Sequence, residues 1–206
     1  MLKVSFFGVR GSCPSPGEAN RRYGGNTSCV VLEDGEEPPI ILDLGTGLRA
    51  YGEARPAGAG FRANVLLSHL HWDHIQGLPF FGPIDRPGAR LDVWGPPQEG
   101  VPLRAAFAAL VRPPYFPVTL EELRGEVAFH EVVDGELAIG PAKVKALPVP
   151  HLGPTLGFRV DTGEAVVAYV SDHQQPLKGA SVDDRVVELC EGADLLIHDA
   201  QYSTAE

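Results

Sequence analysis

The order of predicted elements, β-rich, then helical, then β-rich, then helical again, places the chain in the α+β class, as a two-layer or sandwich arrangement. Three observations carry that expectation. Short β-branched and apolar runs recur along the 206 residues between Gly, Pro and Asp punctuation. Helical spacing of apolar residues is confined to a few stretches. Several strand-like runs end in a histidine or an aspartate, and loops at strand ends are where binding residues gather.

Taken in order, residues 3–8 and 28–33 read as strands, separated by the long Gly/Pro/Asn segment "GVRGSCPSPGEANRRYGGNTS". A loop of that length is usually functional. "EDGEEPP" reads as a hairpin turn into a strand at 40–43, and "LGTGLRAYGEA" as a short helix. A buried strand is expected at 63–68, with His69 at its end, and "IQGLPFF" as a helix start cut short at Pro79. Residues 91–94 read as a strand and "PLRAAFAALV" as a helix stopped by Pro113 and Pro114, with "RPPYFPV" expected near the mouth of a site. Five short strands at 126–132, 136–139, 143–147, 156–160 and 165–170 fit antiparallel meanders. "VDDRVVELCEG" has an acidic first turn and reads as a helix, followed by a strand at 193–198.

No linker-like shift in composition divides the sequence, so residues 1–206 are read as one domain. The net charge of -10, with lysine only at 3, 143, 145 and 178, argues against a nucleic-acid surface, since phosphate backbones want clustered cations. No apolar stretch approaches the length of a membrane span, and the N-terminus reads as a strand rather than a signal peptide. Cys13, Cys29 and Cys190 are odd in number and widely spaced, which suits reduced thiols and a cytoplasmic location. Few thermolabile residues and many prolines fit a thermophile, although a GC-rich genome gives the same bias.

Of seven histidines, three fall within residues 69–74, together with Asp73. In extended chain His69 and His71 point to one side and can grip one ion, while Asp73 and His74, at a turn into helix, can face a second. Imidazole and carboxylate are usual ligands of zinc and also suit iron or manganese. His151, Asp172 and His198 each stand at a strand end and are candidate further ligands; taken singly, His151 could be a turn histidine and Asp172 a turn or cap residue. His130, within a strand, reads as structural. The glycines and Asn26 of "YGGNTS" allow two readings, backbone N–H groups presented to an anion or a tight loop needing positive φ.

"SHLHWDH" matches the H-x-H-x-D-H signature of the metallo-β-lactamase superfamily, and "ILDLGTG" before it, then His151, then Asp172, match its order. "YGGNTSC", "HWDHIQGLPFF" and "LLIHDAQYS" most resemble the branch holding ribonuclease Z and the phosphoribosyl cyclic-phosphate phosphodiesterases. The resemblance implies an αβ/βα four-layer sandwich with metals at one edge between two sheets. It implies that His69, His71 and His151 hold metal one, that Asp73 and His74 hold metal two, that Asp172 bridges, and that Asp43 supports the metal loop through hydrogen bonds. Zn2+ is the expected ion, one or two per chain, with Mn2+ or Fe2+ as alternatives.

Relatives of this branch continue past the "HDAQY" stretch to a final ligand of metal two, whereas this sequence stops at Glu206, so an incomplete C-terminal half is expected. His198 could approach metal two, metal two could be weakly held or absent, or water or a neighbouring subunit could complete the shell. Apolar surface left uncovered there would favour a homo-oligomer. Paired divalent ions lower the pKa of a shared water from about 15.7 toward about 7, making it a nucleophile at neutral pH. Asp73 and Asp172 would serve that chemistry and Asp199 would stand in a proton relay, with His173 and Tyr202 as further candidates. The expected function is a metal-dependent hydrolase, a phosphodiesterase on a small nucleotide or cyclic phosphate. A thioester or lactone hydrolase and a non-catalytic metal-binding protein are the alternatives.

Overall fold

The computed structural model describes residues 1–55, 60–174 and 181–201. The first sheet runs β1 (Leu2–Gly8), β2 (Cys29–Asp34), β3 (Ile40–Leu42), β4 (Arg62–Leu66), β5 (Arg90–Gly95) and β6 (Glu126–Glu131), in that spatial order. The first three strands are antiparallel, and β3 to β6 are parallel. The second sheet holds β7 (Gly135–Ile139), β8 (Ala142–Pro148), β9 (Leu156–Asp161), β10 (Val166–Val170) and β11 (Leu195–His198). Its spatial order is β11-β10-β9-β8-β7, an antiparallel meander closed by β11 parallel to β10.

Both faces of the first sheet are covered, which is why β2 reads as an unbroken apolar run rather than alternating. Cys29 and Val31 join one core with Leu48 and Tyr51 of α1 (Gly47–Ala54) and Phe107 of α3 (Leu103–Leu110). Val30 and Leu32 point the other way and meet Val144, Phe158 and Val167 of the second sheet. On the outer face of that sheet, Val186 and Leu189 of α4 (Asp184–Cys190) pack on Leu147 and Val170. The layers are therefore helix, sheet, sheet, helix: the expected αβ/βα sandwich. Each fully buried side chain such as Phe158 contributes about 1.5–3 kcal/mol of transfer free energy.

Strand direction gathers the site. β3 and β4 are parallel, so Asp43 and the segment leading to His69 leave the first sheet on the same side. In the second sheet β8 and β10 both run antiparallel to β9, and β11 parallels β10, so His151, Asp172 and His198 emerge at one edge. The Leu156 N–H donates to the Ser68 carbonyl at 2.9 Å and ties the two edges together.

Three expectations need correction. The strand at 126–132 is not part of a meander: β6 pairs in parallel with β5, and α3 supplies the crossover that parallel pairing requires. The helix after His71 ends before Pro79. α2 (Trp72–Ile75) is one turn, because the Gly77 backbone leaves it to bond the Leu44 carbonyl at 2.8 Å; Pro79 sits in a following 3₁₀ turn. A Cβ at Gly77 would lie 2.0 Å from the Gly45 carbonyl oxygen, so the approach requires glycine. Finally, "RPPYFPV" does not line the site; Phe116 packs edge-on against Phe80, with 5.7 Å between centroids, over the first core. Among the described residues no helix is long and apolar enough to cross a membrane.

Candidate metal centre

His69 is 1% exposed and lies just beyond β4. Its Nε2 is 2.9 Å from His71 Nδ1, and His151 Nε2 is 3.1 Å from the same atom. Asp172 Oδ2 lies 3.8 Å from His69 Nε2 and 3.5 Å from His151 Nε2. Donor atoms of His69, His71, His151 and Asp172 all fall within 4.8 Å of one another. Three ring nitrogens converging on one point cannot all be satisfied by hydrogen bonds among themselves, since each neutral imidazole has one N–H and one lone pair. A shared cation satisfies all of them, so the donor set fits a divalent metal.

Asp43 organises the ligands from behind. It is fully buried in an unusual left-handed conformation, φ 62°, that a short polar side chain tolerates. Its Oδ1 accepts the Ser68 N–H at 2.7 Å, and its Oδ2 accepts Ser68 Oγ–H at 2.9 Å and Tyr169 O–H at 2.6 Å. Because the Ser68 hydroxyl proton goes to Asp43, Ser68 Oγ accepts from His69 Nδ1–H at 2.9 Å. That fixes the His69 tautomer and turns its Nε2 lone pair toward His71 and Asp172. By the same logic Ser28 Oγ donates to the Tyr169 oxygen at 2.7 Å.

His74 is held in the same way, with Nδ1–H donated to Asp43 Oδ2 at 2.7 Å. Its Nε2 lies 3.4 Å from Asp73 Oδ2 and 3.4 Å from Asp172 Oδ1. A bare lone pair facing two carboxylates is unfavourable, so the position demands a proton or a metal ion. Burial opposes the charged imidazole, yet the Asp43 carboxylate with Asp172 and Asp73 overcomes it and pushes the His74 pKa up to about 12 without an ion. His69 moves oppositely: burial, reinforced by His74, takes it down to about 3, so it is a neutral donor. Burial would raise the Asp43 carboxyl, but His74 and Tyr169 hold it below the usual range. Asp73 is likewise held down against burial, by His74 and by the Ser12 N–H, which donates to its Oδ2 at 2.7 Å.

His198 stands apart from the four-residue cluster. Its Nε2 faces His173 Nδ1 at 3.2 Å, and its Nδ1 faces the Asp199 carbonyl at 2.7 Å. Asp199 accepts the Gln201 N–H at 3.0 Å and the His173 N–H at 3.4 Å. Both residues line the same cleft as the cluster, a volume of about 810 Å³ that also includes Phe6, Arg10, Ser12 and Tyr169. Tyr202 lies outside the described residues. His130 is structural, stacked on Trp94 with 4.1 Å between centroids and bonded to Asp92 at 2.8 Å. In "YGGNTS" the tight-loop reading holds: Gly24 has φ 80°, and a Cβ on Gly25 would lie 2.0 Å from the Ser15 carbonyl oxygen. A second cavity, of about 140 Å³ near Leu32, Asn64 and Ile139, holds no such donor cluster.

Sequence reasoning missed Ser12, Ser28, Ser68 and Tyr169. Only Tyr169 had a local signal, a hydroxyl in the otherwise apolar strand "VVAYV" two residues ahead of Ser171.

The model of the beta-lactamase superfamily domain matches residues 40–206. The chain is 29% identical to a ribonuclease Z of Natronomonas pharaonis, over 98% of this chain and 76% of that protein. The crystal structure of the short form of human tRNase Z superposes with a TM-score of 0.67 at 25% identity, covering 100% of this chain and 80% of the other. The metallo-beta-lactamase fold protein YhfI from Bacillus subtilis superposes with a TM-score of 0.68 at 22% identity, over 95% of this chain and 69% of that one, a likeness of fold.

Proposed function

Because the chain belongs to the family of beta-lactamase superfamily domains and is a metal-dependent hydrolase, we propose that it hydrolyses a phosphodiester in a small nucleotide or cyclic phosphate. The observation that carries this reading is the division of Asp172. Its Oδ2 turns toward His69 and His151, and its Oδ1 toward His74, so one carboxylate addresses two adjacent positions. In this reading His69, His71 and His151 would hold one ion, Asp73 and His74 would hold a second, and Asp172 would contribute to both. The nitrogen-rich set suits zinc.

Bound divalent metal supplies Lewis acidity and a nucleophilic water at neutral pH. The chain's residues do the rest. Asp43 keeps the His69 and His74 rings oriented, with Nδ1 protons turned away from the cleft. Asp73, tethered by the Ser12 amide, and Asp172 place negative charge opposite the nitrogen donors, which would offset the charge of a bound cation. Asp199 lines the cleft and accepts two backbone amides, and in this reading it would relay a proton to the leaving oxygen.

The ribonuclease Z relative supports phosphodiester chemistry, since RNA is joined by such bonds. The net charge of -10 argues for a small substrate rather than a long polyanion. The test is a substrate screen of metal-loaded protein with bis-p-nitrophenyl phosphate beside thioester and lactone substrates. Turnover of the phosphodiester is expected; turnover confined to the carbonyl compounds would overturn the reading.

A further inference from the structure

We infer that Arg10 binds the anionic group of the substrate, which makes the cleft selective for a charged phosphate ester over a neutral one; the inference deepens the phosphodiesterase reading and rests on it. Arg10 is exposed and is the only lysine or arginine among the described residues lining the cleft that holds the donor cluster. Its guanidinium has no hydrogen bond, ion pair or ring contact among the described residues. The side chains of Arg62, Arg112 and Arg124 also lack a carboxylate partner among the described residues, so what distinguishes Arg10 is its place in the cleft. Elsewhere Arg49, Arg55, Arg90, Arg104 and Arg185 each pair with a carboxylate.

The backbone that carries Arg10 is fixed although the side chain is free. The Val9 and Arg10 N–H groups both donate to the Asn26 carbonyl, at 3.1 and 3.0 Å, and Arg10 pairs with Thr27 in an isolated bridge. Two residues on, the Ser12 N–H holds Asp73 Oδ2, which moors the segment to the donor cluster itself. A cation presented from a rigid backbone beside metal-binding groups, with its five donors uncommitted, matches the fork geometry of a phosphate oxygen pair. It also offsets the carboxylates of Asp73, Asp172 and Asp199 in the same cleft, which would otherwise repel an anionic substrate.

The experiment compares wild type, Arg10→Ala and Arg10→Lys as full-length, metal-loaded protein of equal metal content by elemental analysis. Two measurements are made: kcat/KM with bis-p-nitrophenyl phosphate, and affinity for adenosine monophosphate by calorimetry. Loss of a charge-assisted hydrogen bond predicts a fall of about tenfold to hundredfold in both for Arg10→Ala. Arg10→Lys should fall between it and wild type, because the charge stays and the fork is lost. Hydrolysis by Arg10→Ala within about twofold of wild type overturns the role of Arg10 and leaves the phosphodiesterase reading standing. If wild type hydrolyses no phosphodiester, that reading falls. The calorimetry then decides alone: weaker binding by Arg10→Ala sustains the anion site, and equal binding overturns it.

Discussion

The hydroxyl of Tyr169 donates to Oδ2 of Asp43 at 2.6 Å across 126 residues of sequence, joining the two sheets directly behind the donor cluster. Asp43 follows β3 of the first sheet, and Tyr169 lies in β10 of the second. The same carboxylate orients His74, and through Ser68 it orients His69, so one buried anion connects sheet packing to ligand geometry.

Tyr169→Phe removes a donor to a buried charge and should cost about 1.5–3 kcal/mol in denaturant unfolding. Asp43→Asn tolerates the left-handed backbone and keeps the volume, so it isolates the charge. It should lower metal affinity about 10- to 100-fold, as loss of supporting partners does, measured by competition with a chelating dye. Unchanged affinity in Asp43→Asn would contradict the orienting role.

His71→Ala separates metal binding from folding. His71 is exposed, so the metal-free variant should stay within about 0.5 kcal/mol of wild type in unfolding free energy. Its metal content should nevertheless fall by elemental analysis, because His71 Nδ1 is the atom on which His69 and His151 converge.

Asp183 gives a pH dependence away from the metal centre. Its carboxylate caps α4 by accepting the Arg185 N–H at 3.0 Å, and it pairs with the Arg185 guanidinium. The side-chain bond from Arg185 holds its pKa below the usual value. A depressed acid stabilises the fold above its unfolded pKa, about 3.9, and the stabilisation is lost as pH falls through the folded value. Asp183→Ala should therefore cost about 0.5–2 kcal/mol at neutral pH, shrinking toward zero on acidification. A penalty independent of pH would show that the carboxylate's charge does not matter.

Much of the centre was legible because its signals are local. His69, His71, Asp73 and His74 lie within six residues, and His151 and Asp172 stand just past β-branched runs whose ends are readable from composition. Helix and strand positions followed for the same reason. Two features did not: α2 is cut to one turn by the contact of Gly77 with Leu44, and β6, whose residues suit either a meander or a parallel edge, takes its partner from the crossover through α3, which no local pattern records.

Sequence by itself determined the identity and order of the donor residues and the unbroken apolar runs that suit a sheet covered on both faces. Tertiary structure alone decided that Asp43 is the hub, that Ser12 reaches 61 residues to Asp73, and that Arg10 lines the cleft of the donor cluster with no side-chain partner among the described residues. The physical reason is range. Periodicity and capping act over a few residues, whereas orientation of a ligand and the charge it meets depend on groups that only packing of the two sheets brings within hydrogen-bond distance.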